Sequence, residues 1–230
     1  MAIIIPHRFL DRLLPDNKTS FIETIIIGTF NPGLPASDRL SQKERQHFET
    51  IASSKKFQKF NQVRNFYDRP QNRFWKIMDF VANSDFYLNN SLKTKNANGL
   101  KYYTQMDREI VFRNQIAFCL NQGILITDIV SQIEPASFEN IYDNFPDKAI
   151  ENSKCEWNTK GILGTIEKYR PKNILINFST GKSIPKISEE ISKIQSQSSN
   201  VYTMLSTSGA AGYDYTTLAE HWYPHIIKKL

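Results

Sequence analysis

The stretch Ile25-Ile26-Ile27-Gly28-Thr29-Phe30-Asn31-Pro32-Gly33 sets an apolar, β-branched run directly ahead of a tight loop that carries one primary amide. A strand that stops in such a loop presents Asn31 at its end. A second stretch, Phe66-Tyr67-Asp68-Arg69-Pro70-Gln71-Asn72-Arg73-Phe74-Trp75, puts aromatics, an Asn and two Arg on a Pro-broken segment. Together they supply a polar reaction point, a flat stacking surface and cations for phosphate. Chemistry on a base drawn out of DNA needs those three things.

These residues need elements to position them. Apolar runs at Ile25–Ile27, Ile124–Ile126, Ile174–Ile176 and Val201–Leu205 read as strands covered on both faces. Helical patterns lie between them: Ser41 to about Gln62, Asn72–Phe80, Asp107–Leu120, Thr159–Tyr169, Pro185–Gln197 and Tyr215–Lys229. Strand and helix alternate, which predicts an α/β fold. The architecture expected is a single-domain three-layer sandwich with a central, mainly parallel four-stranded sheet, spanning residues 1–230. Ser84–Tyr103 and Pro135–Asn158 read as surface excursions. Each strand is followed by small polar residues: Gly28–Asn31, Thr127-Asp128, Asn177–Gly181 and Ser206–Gly212. In parallel sheets ligands bind beyond the carboxyl ends of the strands, so the four clusters should meet on one rim.

Composition bounds the function. The chain has 230 residues, 40% hydrophobic, enough for one core. Twenty-nine Lys and Arg against 23 Asp and Glu give a net charge of +6, compatible with a polyanionic partner. The only two Cys, Cys119 and Cys155, form no CxxC pair, which excludes a zinc ribbon or a four-Cys cluster and suits reduced thiols. No apolar run approaches the roughly 18 residues of a membrane span. The expected location is cytoplasmic and nucleoid-associated. His221 and His225 stand four apart, a metal-ligand spacing, but Pro224 between them and the lack of a third ligand nearby argue against a metal. There is no Gly-rich nucleotide loop, so no cofactor is expected.

The motifs, taken in order, resemble the uracil-DNA glycosylase superfamily. Asn31-Pro32-Gly33 is similar to the first motif of its mismatch-specific branch. Arg69-Pro70-Gln71-Asn72-Arg73-Phe74-Trp75 resembles the Pro-x-Asn-x-Phe-Trp signature shared with the hypoxanthine-DNA glycosylases, and Phe66-Tyr67 the paired aromatics ahead of it. Gly123–Val130 looks like the strand whose end reads the base. Leu205-Ser206-Thr207-Ser208, with Ala210-Ala211 and Glu220-His221-Trp222, resembles the C-terminal DNA-contacting motif. The match spans residues 25–222 discontinuously. It departs from the pattern by an insertion at Leu34–Asn65, by Ser206-Thr207-Ser208 where the classical uracil enzymes have a His, and by Asn31 where the fastest members have Asp.

The resemblance implies a monomeric, cofactor-free and metal-free monofunctional DNA glycosylase, which removes a flipped deaminated base, uracil or hypoxanthine. Asn31 is the catalytic candidate: an amide does not titrate usefully, but its carbonyl oxygen can hold a water in line. Asn72 is the second, with helix capping as its alternative. Base contacts fall to Phe30 and Tyr67 by stacking and to Thr127, Asp128 and Asn177 by hydrogen bonds, from backbone groups or side chains for Thr127 and Asp128; the alternatives are core packing, turn capping and strand-end bonding. DNA contacts fall to Gly33, Arg69, Arg73, Ser206, Thr207, Ser208 and Gly209, against a Gly-rich turn and a solvated charged face. Two other functions fit the same residues: a non-catalytic nucleic-acid binder, and a hydrolase of free nucleosides or nucleotides.

Overall fold

A computed structural model of the chain describes residues 3–10, 21–36, 38, 40–61, 63–68, 72–82, 108–135, 142, 147–178, 184–208 and 211–226. Its centre is a four-stranded parallel sheet of β2 (Thr24–Gly28), β3 (Ile124–Asp128), β6 (Asn173–Ile176) and β7 (Val201–Thr203), in the order β3-β2-β6-β7. The expected α/β fold and four parallel strands are therefore present. β2 and β3 are buried along their whole length, as apolar runs with both faces covered should be.

Register fixes which residues share a face. Thr24 pairs with Ile124 and Asn173, and Gly28 pairs with Asp128. Side chains alternate along a strand. Thr24, Ile26, Gly28, Ile124, Ile126, Asp128, Asn173 and Leu175 therefore point one way, and Ile25, Ile27, Leu125, Thr127, Ile174 and Ile176 the other. The first face is covered by α3 (Phe74–Ala82) and α8 (Tyr215–Ile226), which pack together through Phe74 and Trp222, ring centroids 5.6 Å apart. Thr24 and Asn173 both donate to the carbonyl of His225 on α8. The second face carries α6 (Thr159–Tyr169), packed on α7 (Pro185–Gln197).

The two helical layers follow from the chain's path. From β2 it crosses to β3 on one side, then returns past β2 to β6 on the other. Right-handed crossovers in opposite directions put their helices on opposite faces. The order reverses at the carboxyl end of β2, the place where open α/β sheets take their ligands. The Gly28–Asn31 loop leaves the sheet at that point.

A second, antiparallel sheet was not expected. β1 (Ile5–Pro6) pairs with β4 (Val130–Glu134), which pairs with β5 (Lys154–Trp157). The Pro135–Asn158 excursion is thus partly regular structure, with α5 (Asp147–Glu151) as well as β5, and Tyr142 and Ile150 in the core. The long helix expected from Ser41 is two, α1 (Gln42–Ala52) and α2 (Lys55–Asn61). Ser41 starts the first with a reciprocal capping box to Glu44, and Ser54 restarts the second by accepting from the Phe57 N–H. α6 and α7 have their expected bounds: Arg170 ends one in a left-handed cap before Pro171, and Pro185 opens the other. α4 (Arg108–Gln122) leads into β3. Ser84–Tyr103 lies outside the described residues, among which no helix is long and apolar enough to cross a membrane.

Candidate functional site

The carboxyl ends of the strands do bring their polar residues together. Asp128 ends β3 with its side chain on the α3 face and is 1% exposed. Its Oδ2 accepts two hydrogen bonds, from His7 Nε2 at 2.6 Å and from Asn31 Nδ2 at 2.7 Å. A carboxylate oxygen only accepts, so the face that Asn31 turns to it must be the NH2. The orientation of this amide is thereby fixed by chemistry. Its carbonyl oxygen is left to point elsewhere, on a residue that is only half-buried.

Gly28, beside Asp128, is needed for its lack of a side chain. A Cβ there would overlap the Asp128 carboxylate and stand 2.6 Å from the Tyr67 hydroxyl. Tyr67 thus reaches over the bare backbone of β2. Its φ is +56°, a left-handed conformation that costs a non-glycine residue on the order of 1–3 kcal/mol. The ring leans on Phe74, centroids 4.5 Å apart, and the residue as a whole is half-buried. The hydroxyl is buried and makes no hydrogen bond of good geometry. Burial first, and the Asp128 charge second, hold it well above the usual tyrosine range; the nearby Asn177 amide works the other way.

Asn177 and Thr207 form a second, closed knot. Asn177 Nδ2 donates to Thr207 Oγ1 at 3.2 Å, and the Thr207 N–H donates to Asn177 Oδ1 at 3.3 Å. Both are buried. The Thr207 carbonyl accepts from the Arg73 N–H at 3.0 Å, tying the loop after β7 to the start of α3.

Other candidates sit elsewhere. Thr127 faces the opposite side of the sheet from Asp128, since neighbours on a strand cannot share a face. Its hydroxyl accepts from Asn158 Nδ2, and it lines a cavity of about 140 Å³ with Ile25, Leu125, Ile162 and Thr165. Phe30 is buried edge-on to His7. Gly33 is buried, its N–H given to the Pro6 carbonyl and its own carbonyl accepting from Tyr142. Asn72 accepts from the Phe74 N–H, the capping alternative. Arg73 donates to the Tyr213 carbonyl and lies over the Tyr215 ring, so it braces α8. Of the loop after β7, Ser206 is half-buried and Ser208 exposed. Arg69 and Gly209 lie outside the described residues.

Sequence reasoning missed two residues here. Asn158 donates to the Asp128 carbonyl at 3.1 Å and steadies the end of β3 from the other face. His7 enters from β1. The one sequence signal for it was a lone His closing an apolar run. His225, on α8, is pushed below its usual range by burial and then by His221. Neither a protein-family model nor a curated protein matches the chain.

Proposed function

We propose that the chain hydrolyses the N-glycosidic bond of a deaminated base swung out of DNA, leaving an abasic site. The orientation of Asn31 carries this reading: Asp128 takes its amide nitrogen, and Oδ1 is left as an acceptor at the sheet's carboxyl rim. Glycoside hydrolysis passes through an oxocarbenium-like sugar that water attacks. An acceptor of fixed direction places that water opposite the leaving base without removing a proton from it beforehand. Such positioning is sufficient when the leaving group departs readily as an anion, as uracil and hypoxanthine do. Tyr67, a half-buried residue at this rim, supports the reading as the stacking candidate, where a base gains about 1–3 kcal/mol. Asp128, 1% exposed, serves by holding the Asn31 amide rather than by meeting the base. Among the described residues no lysine bonds to this cluster, and the reading has the reaction end at base release with no Schiff base. The protein acts as a monomer on DNA.

The test uses labelled duplexes with one uracil, hypoxanthine or thymine, the matching single strands, and free deoxyuridine and deoxyinosine. Alkali-sensitive cleavage of the uracil or hypoxanthine DNA supports the reading. Turnover of the nucleosides alone moves the activity to free substrates. Retention of duplex in a gel shift, without cleavage, leaves a binder.

A further inference from the structure

His7 is a buried titratable group that the proposed chemistry leaves unused, and the segment around it is bound to the Asn31 loop at several points. The Arg8 N–H donates to the Asn31 carbonyl at 2.8 Å, the Gly33 N–H donates to the Pro6 carbonyl at 2.7 Å, and His7 bridges Pro32. On its other side the His7 N–H donates to the Ser131 carbonyl at 2.7 Å. The N-terminal segment is thus threaded between the loop and β4.

The ring itself is held at both nitrogens. Nδ1 accepts from the Phe9 N–H at 2.9 Å, so the proton lies on Nε2 and is given to Asp128 Oδ2. Phe30 and Phe66 enclose the ring at centroid distances of 5.5 and 5.4 Å. The side chain is 0% exposed, which removes it from any contact with substrate and so from the role of general base. What remains is its grip on Asp128. With His7 donating, Oδ2 is fixed in space and so is the amide that Asn31 presents to it. Without that donor the carboxylate can turn about its last bond, and a half-buried Asn31 turns with it.

We propose that His7 is a positioning residue of the hydrolytic site: through Asp128 it holds the Asn31 carbonyl oxygen toward the attacking water. The inference rests on the proposed glycosylase reading. It also makes the residue just after β1, 121 residues from Asp128 in sequence, part of what positions the reacting water.

Two polar substitutions separate positioning from packing. His7→Gln keeps an N–H donor at nearly the reach of Nε2; His7→Asn withdraws it by about one bond length. Base release should fall about ten- to a hundredfold in kcat for His7→Asn, with KM within about twofold, and recover to within about fivefold of wild type for His7→Gln. Equal rates in the two variants, or a loss expressed in KM, overturn the proposal. The side-chain amide signals of Asn31 in a 1H–15N spectrum give a readout that needs no turnover. They should shift in His7→Asn and return in His7→Gln. If wild-type protein releases no base, the glycosylase reading fails by itself, and these signals still decide whether His7 orients Asn31. Signals unmoved in His7→Asn overturn that too. Should His7→Asn fail to fold, His7→Gln must retain both rate and signals, and loss of either from the folded variant refutes the role.

Discussion

Two polar knots stand at the same rim, and they differ in what they leave over. At β6 and β7, Asn177 and Thr207 satisfy each other twice, and little remains for a ligand. At β2 and β3, Asp128 gathers two donors on one oxygen, leaving the Asn31 side-chain oxygen to accept elsewhere and the Tyr67 hydroxyl buried without a hydrogen bond of good geometry. Buried polar groups are normally paired. A closed pair needs no explanation beyond the ends of the strands it joins. An open cluster that also includes a strained Tyr does, and strain of this kind gathers at functional sites.

The largest way to break the comparison is Asn31→Ala. It should lower base release about a hundredfold or more, in line with the cost of misplacing a reacting group. DNA binding, read by gel shift, should change little. Gly28→Ala comes next. Its methyl would overlap the Asp128 carboxylate and crowd the Tyr67 hydroxyl. Denaturant unfolding should show a loss of about 1–3 kcal/mol, as overpacking gives, together with a fall in rate. Thr207→Val sharpens the contrast from the other knot. It leaves the buried Asn177 amide without its acceptor, which costs about 1–3 kcal/mol of stability. The rate per folded molecule should stay within about twofold.

Tyr67→Phe has the smallest expected effect. It removes a buried hydroxyl that lacks a hydrogen bond, so stability at neutral pH should hold or rise by up to about 1 kcal/mol. The pH dependence has a definite sign. The folded protein keeps this hydroxyl protonated past the ordinary value of 10.0, whereas the unfolded chain ionises there. Its contribution is therefore constant below about pH 10 and is lost as pH rises beyond it. Alkaline unfolding, followed by far-UV circular dichroism, should move to higher pH in the Phe variant.

Much of this was legible in the sequence, for reasons that can be named. Apolar runs with no polar face announced parallel strands, and the small polar residues after each one announced the rim. Thr159–Tyr169 and Pro185–Gln197 were clear because Arg170-Pro171 and Pro185 act locally on the backbone. The break between α1 and α2 was obscured by a charged pattern that continues past Ser53-Ser54. The small sheet was hidden because β1 has two residues and β5 alternates exposed with half-buried positions. Alternation along β3 separates the Thr127 side chain from that of Asp128, so the two could meet one base only if one of them used its backbone. His7 could not be found this way, since nothing local connects it to a carboxylate on β3. Nor could the direction of the Asn31 amide, which is set by that same carboxylate.

The most direct measurement places the two knots side by side. Single-turnover excision would be followed on uracil- and hypoxanthine-containing duplexes with wild-type protein, Asn31→Ala and Thr207→Val, each shown to be folded. The account predicts cleavage by wild type and by Thr207→Val at similar rates, and a loss of about a hundredfold for Asn31→Ala alone. Equal losses in both variants, or full activity in Asn31→Ala, would contradict it.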